Sequence, residues 1–267
     1  MSEPTLSPGP LNIEVWSDVV CPWCYIGKRR LESALTQIGG EDIPVVWRAF
    51  QLDPSAPRPG EPGHGQGVAE HLGHKYGGGL AAGQAMSEQM TQVAAEEGLD
   101  FHLEDAGRGN TVDAHRLLHL AAELESKGSA GLQDRVKERF LLAYFTQGHD
   151  ISDPAVLQTL ATEAGLPAAR VEGVLAADDY AHDVAAEQAQ AQAYGASGVP
   201  FTVIDGRYGV SGAQPVEVFV DAIRRAQADR APQLVPVTAG ASEQAAGASG
   251  QAAGEACGPD GCAVPPQ

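Results

Sequence analysis

Only four of the 267 residues are cysteines, and two of them form a Cys-x-x-Cys pair, Cys21 and Cys24, in VVCPWCYIG (Val19 to Gly27). A short β-type run, LNIEVW, precedes the pair. After it, CYIGKRRLESALTQI carries Leu31, Leu35 and Ile38 on one helical face and stops at Gly39-Gly40. IPVVWRAFQL, residues 43–52, has a second strand pattern. Strand, helix and strand in close succession make a βαβ unit, whose two strands run parallel. The pair therefore sits where a strand hands over to a helix.

That position also constrains the chemistry. With Cys21 at the helix N-cap, Pro22 falls in the first turn, where a proline is favoured. Cys24 lies three residues on and shares the core-facing stripe with Leu31. Cys21 faces the free backbone N–H groups and the positive end of the helix dipole, which stabilise a thiolate. The expectation is that Cys21 is the nucleophile and Cys24 the resolving thiol.

Further along, residues 53–67 are rich in Pro and Gly and predict a loop. Helical patterning then runs for more than a hundred residues. One stripe is Ala114, Leu117, Leu118, Ala121 and Leu124; another is Leu132, Val136, Phe140 and Ala143. Ser152-Asp153-Pro154 is a helix-start signal, and a strand is conceivable only around Phe101 to Leu103. VPFTVIDGRYGVSG predicts a hairpin turning at Asp205-Gly206. PVEVFVDAIRRAQA predicts an amphipathic helix with Val216, Phe219, Val220 and Ile223 on one face. From Ala231 on, Ala, Gly, Ser, Gln and Pro dominate, a flexible composition that contains CGPDGC, Cys257 to Cys262.

The formal net charge of −18 argues against nucleic acid and anionic membrane as partners. No apolar run is long enough to span a bilayer, and the first residues lack a secretory pattern, so a cytoplasmic location is the expectation. There a cysteine pair is more often redox-active or metal-binding than structural. A four-cysteine zinc site would need Cys257 and Cys262, whose wider spacing departs from the compact zinc pattern. Zinc remains an alternative, in a metal-responsive or stress-response protein.

Three segments taken together, SDVVCPWCYIGKRRLE, NTVDAHRLLHLA and YGASGVPFTVIDGRYGVSGAQ, resemble the DsbA family of thioredoxin-fold proteins, and within it the FrnE-like branch. The resemblance implies an α/β chain: a thioredoxin fold with an inserted all-helical subdomain and a flexible C-terminal tail. The first thioredoxin part would span residues 11–67, the insertion 68–195, the second thioredoxin part 196–230 and the tail 231–267. It implies a dithiol–disulfide oxidoreductase in which Cys21 attacks, Cys24 resolves and Pro200 lies in cis beside them. Trp23 and Val199 would form the substrate surface. The implied partners are protein thiols and disulfides, with glutathione or another reductant, and no cofactor. Better-known members carry His where this chain has Trp23, and many relatives carry a buried acid where it has Val15, leaving Glu14 and Asp18 as the nearest acids. Glutathione-dependent isomerases and transferases share the fold branch but usually begin the helix with Ser, and the Cys pair is the discriminating feature.

The tail is long enough for Cys257 and Cys262 to reach Cys21, so a second redox pair exchanging with the first is also expected. His115 and His119, four apart on one helix, could share a metal, but HRLLH lacks the Glu of a zinc-protease motif and structural roles fit better. His64, His71 and His74, near a Gly-rich loop, carry at most weak metal capture.

Overall fold

The computed structural model describes residues 11–230. The chain opens with strand β1 (Ile13–Ser17), helix α1 (Pro22–Ile38) and strand β2 (Val45–Ala49). Cys21 is the extended N-cap of α1 and Pro22 fills its first turn. Gly39 closes the helix in the left-handed region, at φ 63° and ψ 38°, which a side chain would oppose. The second strand is shorter than its apolar run, because only residues 45–49 pair with β1.

A hairpin completes the sheet. Strands β3 (Phe201–Ile204) and β4 (Tyr208–Ser211) are joined through Asp205 and Gly206, both at positive φ. The strand order is β2-β1-β3-β4, with β1 parallel to β2 and the other two pairings antiparallel. In register, Ile13 stands between Val45 and Ile204. Strand alternation sends Ile13 and Val15 to one face. There they pack with Leu31 and Leu35 of α1 and with Phe219, Val220 and Ile223 of α9 (Val216–Arg230). Trp16, Phe201 and Val203 point to the other face.

Between β2 and β3 the regular structure is helical: α2 (Val68–Tyr76), α3 (Gly79–Glu96), α4 (Val112–Ser126), α5 (Leu132–Phe145), α6 (Pro154–Glu163), α7 (Ala168–Ala176) and α8 (Ala181–Ala193). Among the described residues, no strand from this stretch joins the sheet. Both expected stripes are buried except Leu124, which is half-buried. Asp153 caps α6 by accepting the N–H of Ala155 at 2.7 Å. Phe101 to Leu103 do not form the conceivable strand. Phe101 and Leu103 are buried in a loop, and the Phe101 ring stacks on those of Phe145 and Tyr25, so packing rather than pairing holds the segment.

The helical block shares its core with α1, since Tyr25 and Ile26 belong to the same apolar cluster as Leu117, Phe140 and Leu157. It also closes the β2 edge. The Gln133 carboxamide accepts the Trp47 N–H at 2.9 Å and donates to the Trp47 carbonyl at 2.8 Å. Glu187 accepts the Ala49 N–H at 2.6 Å, and the Gln188 carboxamide accepts the Gln51 N–H at 3.0 Å. Side chains thus occupy backbone groups that would otherwise be an open sheet edge.

Candidate active site

The two cysteines lie at the start of α1, both reduced and both nearly buried, Cys21 at 3% exposure and Cys24 at 1%. Cys21 is less open than the sequence suggests, because the loop before β3 covers it. Its Sγ lies 3.6 Å from the Val199 carbonyl oxygen, and the Val199–Pro200 peptide is cis. Gly27, one turn above Cys24, lets this loop approach: a Cβ there would stand 3.0 Å from Pro200 Cγ. A side chain at 27 would push the proline away from the cysteines.

A cavity of about 1110 Å³ opens over Cys21. Trp23, 39% exposed, and Val199 line it with Leu72, Met90 and Phe145. The structure therefore brings Cys21, Cys24, Trp23, Val199 and Pro200 together. Cys257 and Cys262 lie outside the described residues.

Beneath the cysteines is a polar layer. Asp18, fully buried after β1, accepts the N–H groups of Val19 and Leu52, each at 2.8 Å, and meets His115 Nε2 of α4 at 3.2 Å. Burial alone would raise its pKa. The His115 hydrogen bond and field, the Leu52 N–H and the Lys137 charge outweigh burial and hold Asp18 below the usual carboxylate range. His115 is pushed down by burial, against the pull of Asp18. Glu14, the other nearby acid, is bound to Arg48 at 2.6 Å. Asp18 is thus the acid associated with the thiols.

Cys24 is pushed well above the usual thiol range by burial first, then by the hydrogen bond and charge of Cys21. Lys137 and the Asp18 N–H pull the other way. Lys137, on α5, is fully buried, and burial lowers its ammonium to about 8. Sequence patterning passed over this lysine, and favoured a structural role for His115. The available signal was helical spacing, since Lys137 follows Gln133 by four and precedes Phe140 by three on a buried face.

The histidines do not gather. His119 turns to Glu187 at 3.1 Å, and His64 pairs with Asp150 at 2.8 Å. Among the described residues, the one cluster with metal-ligand geometry is His102, Glu104 and Asp105, where both acids are exposed. No helix among them is long and apolar enough to cross a membrane.

A dithiol at a helix start, beside a cis-proline loop on a mixed four-stranded sheet, defines a thioredoxin-like protein. The chain belongs to the DSBA-like thioredoxin domain family, which matches residues 12–224. It is 30% identical over 218 residues to the uncharacterized protein YwbO of Bacillus subtilis, spanning 80% of this chain and 96% of that one. A probable DsbA oxidoreductase from Streptomyces coelicolor is similar in structure, with 40% identity and a TM-score of 0.75, covering 96% of this chain and 99% of that one. The cytosolic disulfide reductase DsbM from Pseudomonas aeruginosa, solved with GSH, shares the fold at 18% identity and a TM-score of 0.52, covering 82% and 96%.

Proposed function

We propose that the chain is a dithiol–disulfide oxidoreductase acting on protein or small-molecule disulfides through Cys21 and Cys24. One observation carries this reading: Cys21 opens onto the cavity under the Val199–Pro200 loop, with Cys24 buried one turn behind it. The Cys21 thiolate attacks one sulfur of a substrate disulfide, and the other substrate sulfur leaves with the electron pair and takes a proton. Cys24 then attacks Cys21 Sγ, breaks the mixed disulfide, and releases the second substrate thiol. The protein gains one disulfide and the substrate gains two electrons and two protons; the reverse sequence makes a substrate disulfide.

Trp23 and Val199 supply the substrate surface, and a glutathione-type thiol is a fitting regenerant, in keeping with the GSH in the DsbM structure. An isomerase or transferase that merely holds glutathione would have no use for a second buried thiol at position 24.

The test is turnover of insulin disulfides. Cys21→Ser is expected to abolish it, and Cys24→Ser to accumulate mixed disulfides at Cys21. Trapping by Cys21→Ser instead would reverse the two roles. No exchange by the wild-type chain with any dithiol or disulfide donor would overturn the reading.

A further inference from the structure

Two lysines approach the Trp47 ring. Lys28 Nζ lies 5.7 Å from its centroid and Lys137 Nζ 5.8 Å. Their surroundings differ sharply. Lys28 is compensated by ion pairs with Glu32, with Asp134 at 3.1 Å and with Glu138 at 3.0 Å. Lys137 is fully buried, and its Nζ has no hydrogen-bond partner among the described residues. A buried ammonium without hydrogen bonds is costly, and packing does not require it, since an apolar side chain of similar length would fill the space. The charges that interact with it are Cys24 first, then Asp18 and Cys21, with Lys28 and His115 in the same field. Asp18 already has two backbone donors and His115. Among the charges that act on Cys24, Lys137 is the cation.

We propose that Lys137 is a positioning charge for disulfide exchange, its buried ammonium stabilising the Cys24 thiolate in the step that resolves the mixed disulfide. The inference rests on the dithiol reading above. In that step Cys24 gives up its proton, its thiolate forms the S–S bond to Cys21, and the Cys21–substrate bond breaks. The electron pair and the negative charge leave on the substrate sulfur, which takes up a proton. Lys137 keeps its own proton throughout and acts by charge alone. It is the helical block, not the thioredoxin part, that supplies this charge.

The experiment compares wild type with Lys137→Met and Lys137→Gln in the full chain. Resolution of a preformed Cys21 mixed disulfide at pH 7 is expected to slow by about tenfold or more, equivalent to roughly one pKa unit at Cys24. The deficit should shrink as the pH rises into the range where Cys24 ionises unaided. In a Cys21→Ser background, the Cys24 ¹³Cβ resonance should titrate about one unit or more higher when Lys137 is replaced. A Cys24 titration unchanged in both variants overturns the inference, whether or not the protein exchanges disulfides. Absent exchange by wild type overturns the dithiol reading instead, and the Cys24 titration still decides the role of Lys137.

Discussion

The two faces of the sheet are covered by different chemistry. On one, Ile13, Val15 and Ile204 meet Leu31, Leu35, Phe219 and Ile223, a layer of aliphatic and aromatic side chains. On the other, Trp16, Phe201 and Val203 share space with charge: Glu14 and Glu187 both bind Arg48, and the Trp16 indole donates to the Glu187 carbonyl at 2.9 Å. Below the cysteines, Asp18, His115 and Lys137 continue this polar character into the buried region. Apolar burial stabilises by about 25 cal/mol per Å², whereas a buried charge costs stability unless its partners are well placed. The first face therefore holds the fold together. On the polar side, the buried charged groups give part of that stability back.

The sharpest way to break the comparison is on the apolar face. Phe219→Ala should lower unfolding stability by about 3–5 kcal/mol, since Phe219 is almost fully buried. Thiol exchange measured well below the melting temperature should be unaffected; a matching loss of exchange would show that the two sides are not separable. The next effect concerns the seam. Gln133→Ala leaves the Trp47 N–H and carbonyl without partners, a cost of about 1–3 kcal/mol. Amide exchange at Trp47 should accelerate, and if it does not, the carboxamide is not what closes the edge.

The smallest effect is on the polar side and depends on pH. Burial holds the folded pKa of His115 below its ordinary 6.5. As pH falls through that value the unfolded chain takes up a proton that the folded chain refuses, so stability drops toward acid. With His115→Gln the fall between about pH 6.5 and 5 should be shallower by up to one proton's worth. Urea titrations at the two pH values give the slopes, and equal slopes would mean that His115 is protonated in the fold.

Much of this was legible from residue order. Cys21, Pro22 and Gly39 mark both ends of α1, and the buried stripes of α4 and α5 follow the apolar spacing. The resemblance at GVPF anticipated the cis Val199–Pro200 bond. What stayed hidden is long-range and polar. In LQDRVKERF the spacing places Lys137 on the buried face and Arg135 off it, but a reading of periodicity from apolar side chains assigns both charged residues to solvent. Asp18 and His115 are 97 positions apart, and only the fold makes them a pair. The strand expected over residues 43–52 is shorter for a related reason: Ile43 and Phe50 pack against the sheet's cores without pairing.

The carboxamide of Gln133 on Trp47 also has a consequence in time. The first βαβ unit leaves the ribosome early, yet the partner for its β2 edge comes 86 residues later, and Glu187 comes 138 residues after Ala49. The opposite side of β1 waits for Ile204. For most of synthesis this unit is a two-stranded ribbon with both rims open, the condition under which strands find wrong neighbours. Its completion is a late, non-local event, which slows folding. A ribosome-bound chain ending shortly after Leu52 should therefore be protease-sensitive along β1 and β2, with protection arriving in two steps, first when α5 emerges and then when β3 does.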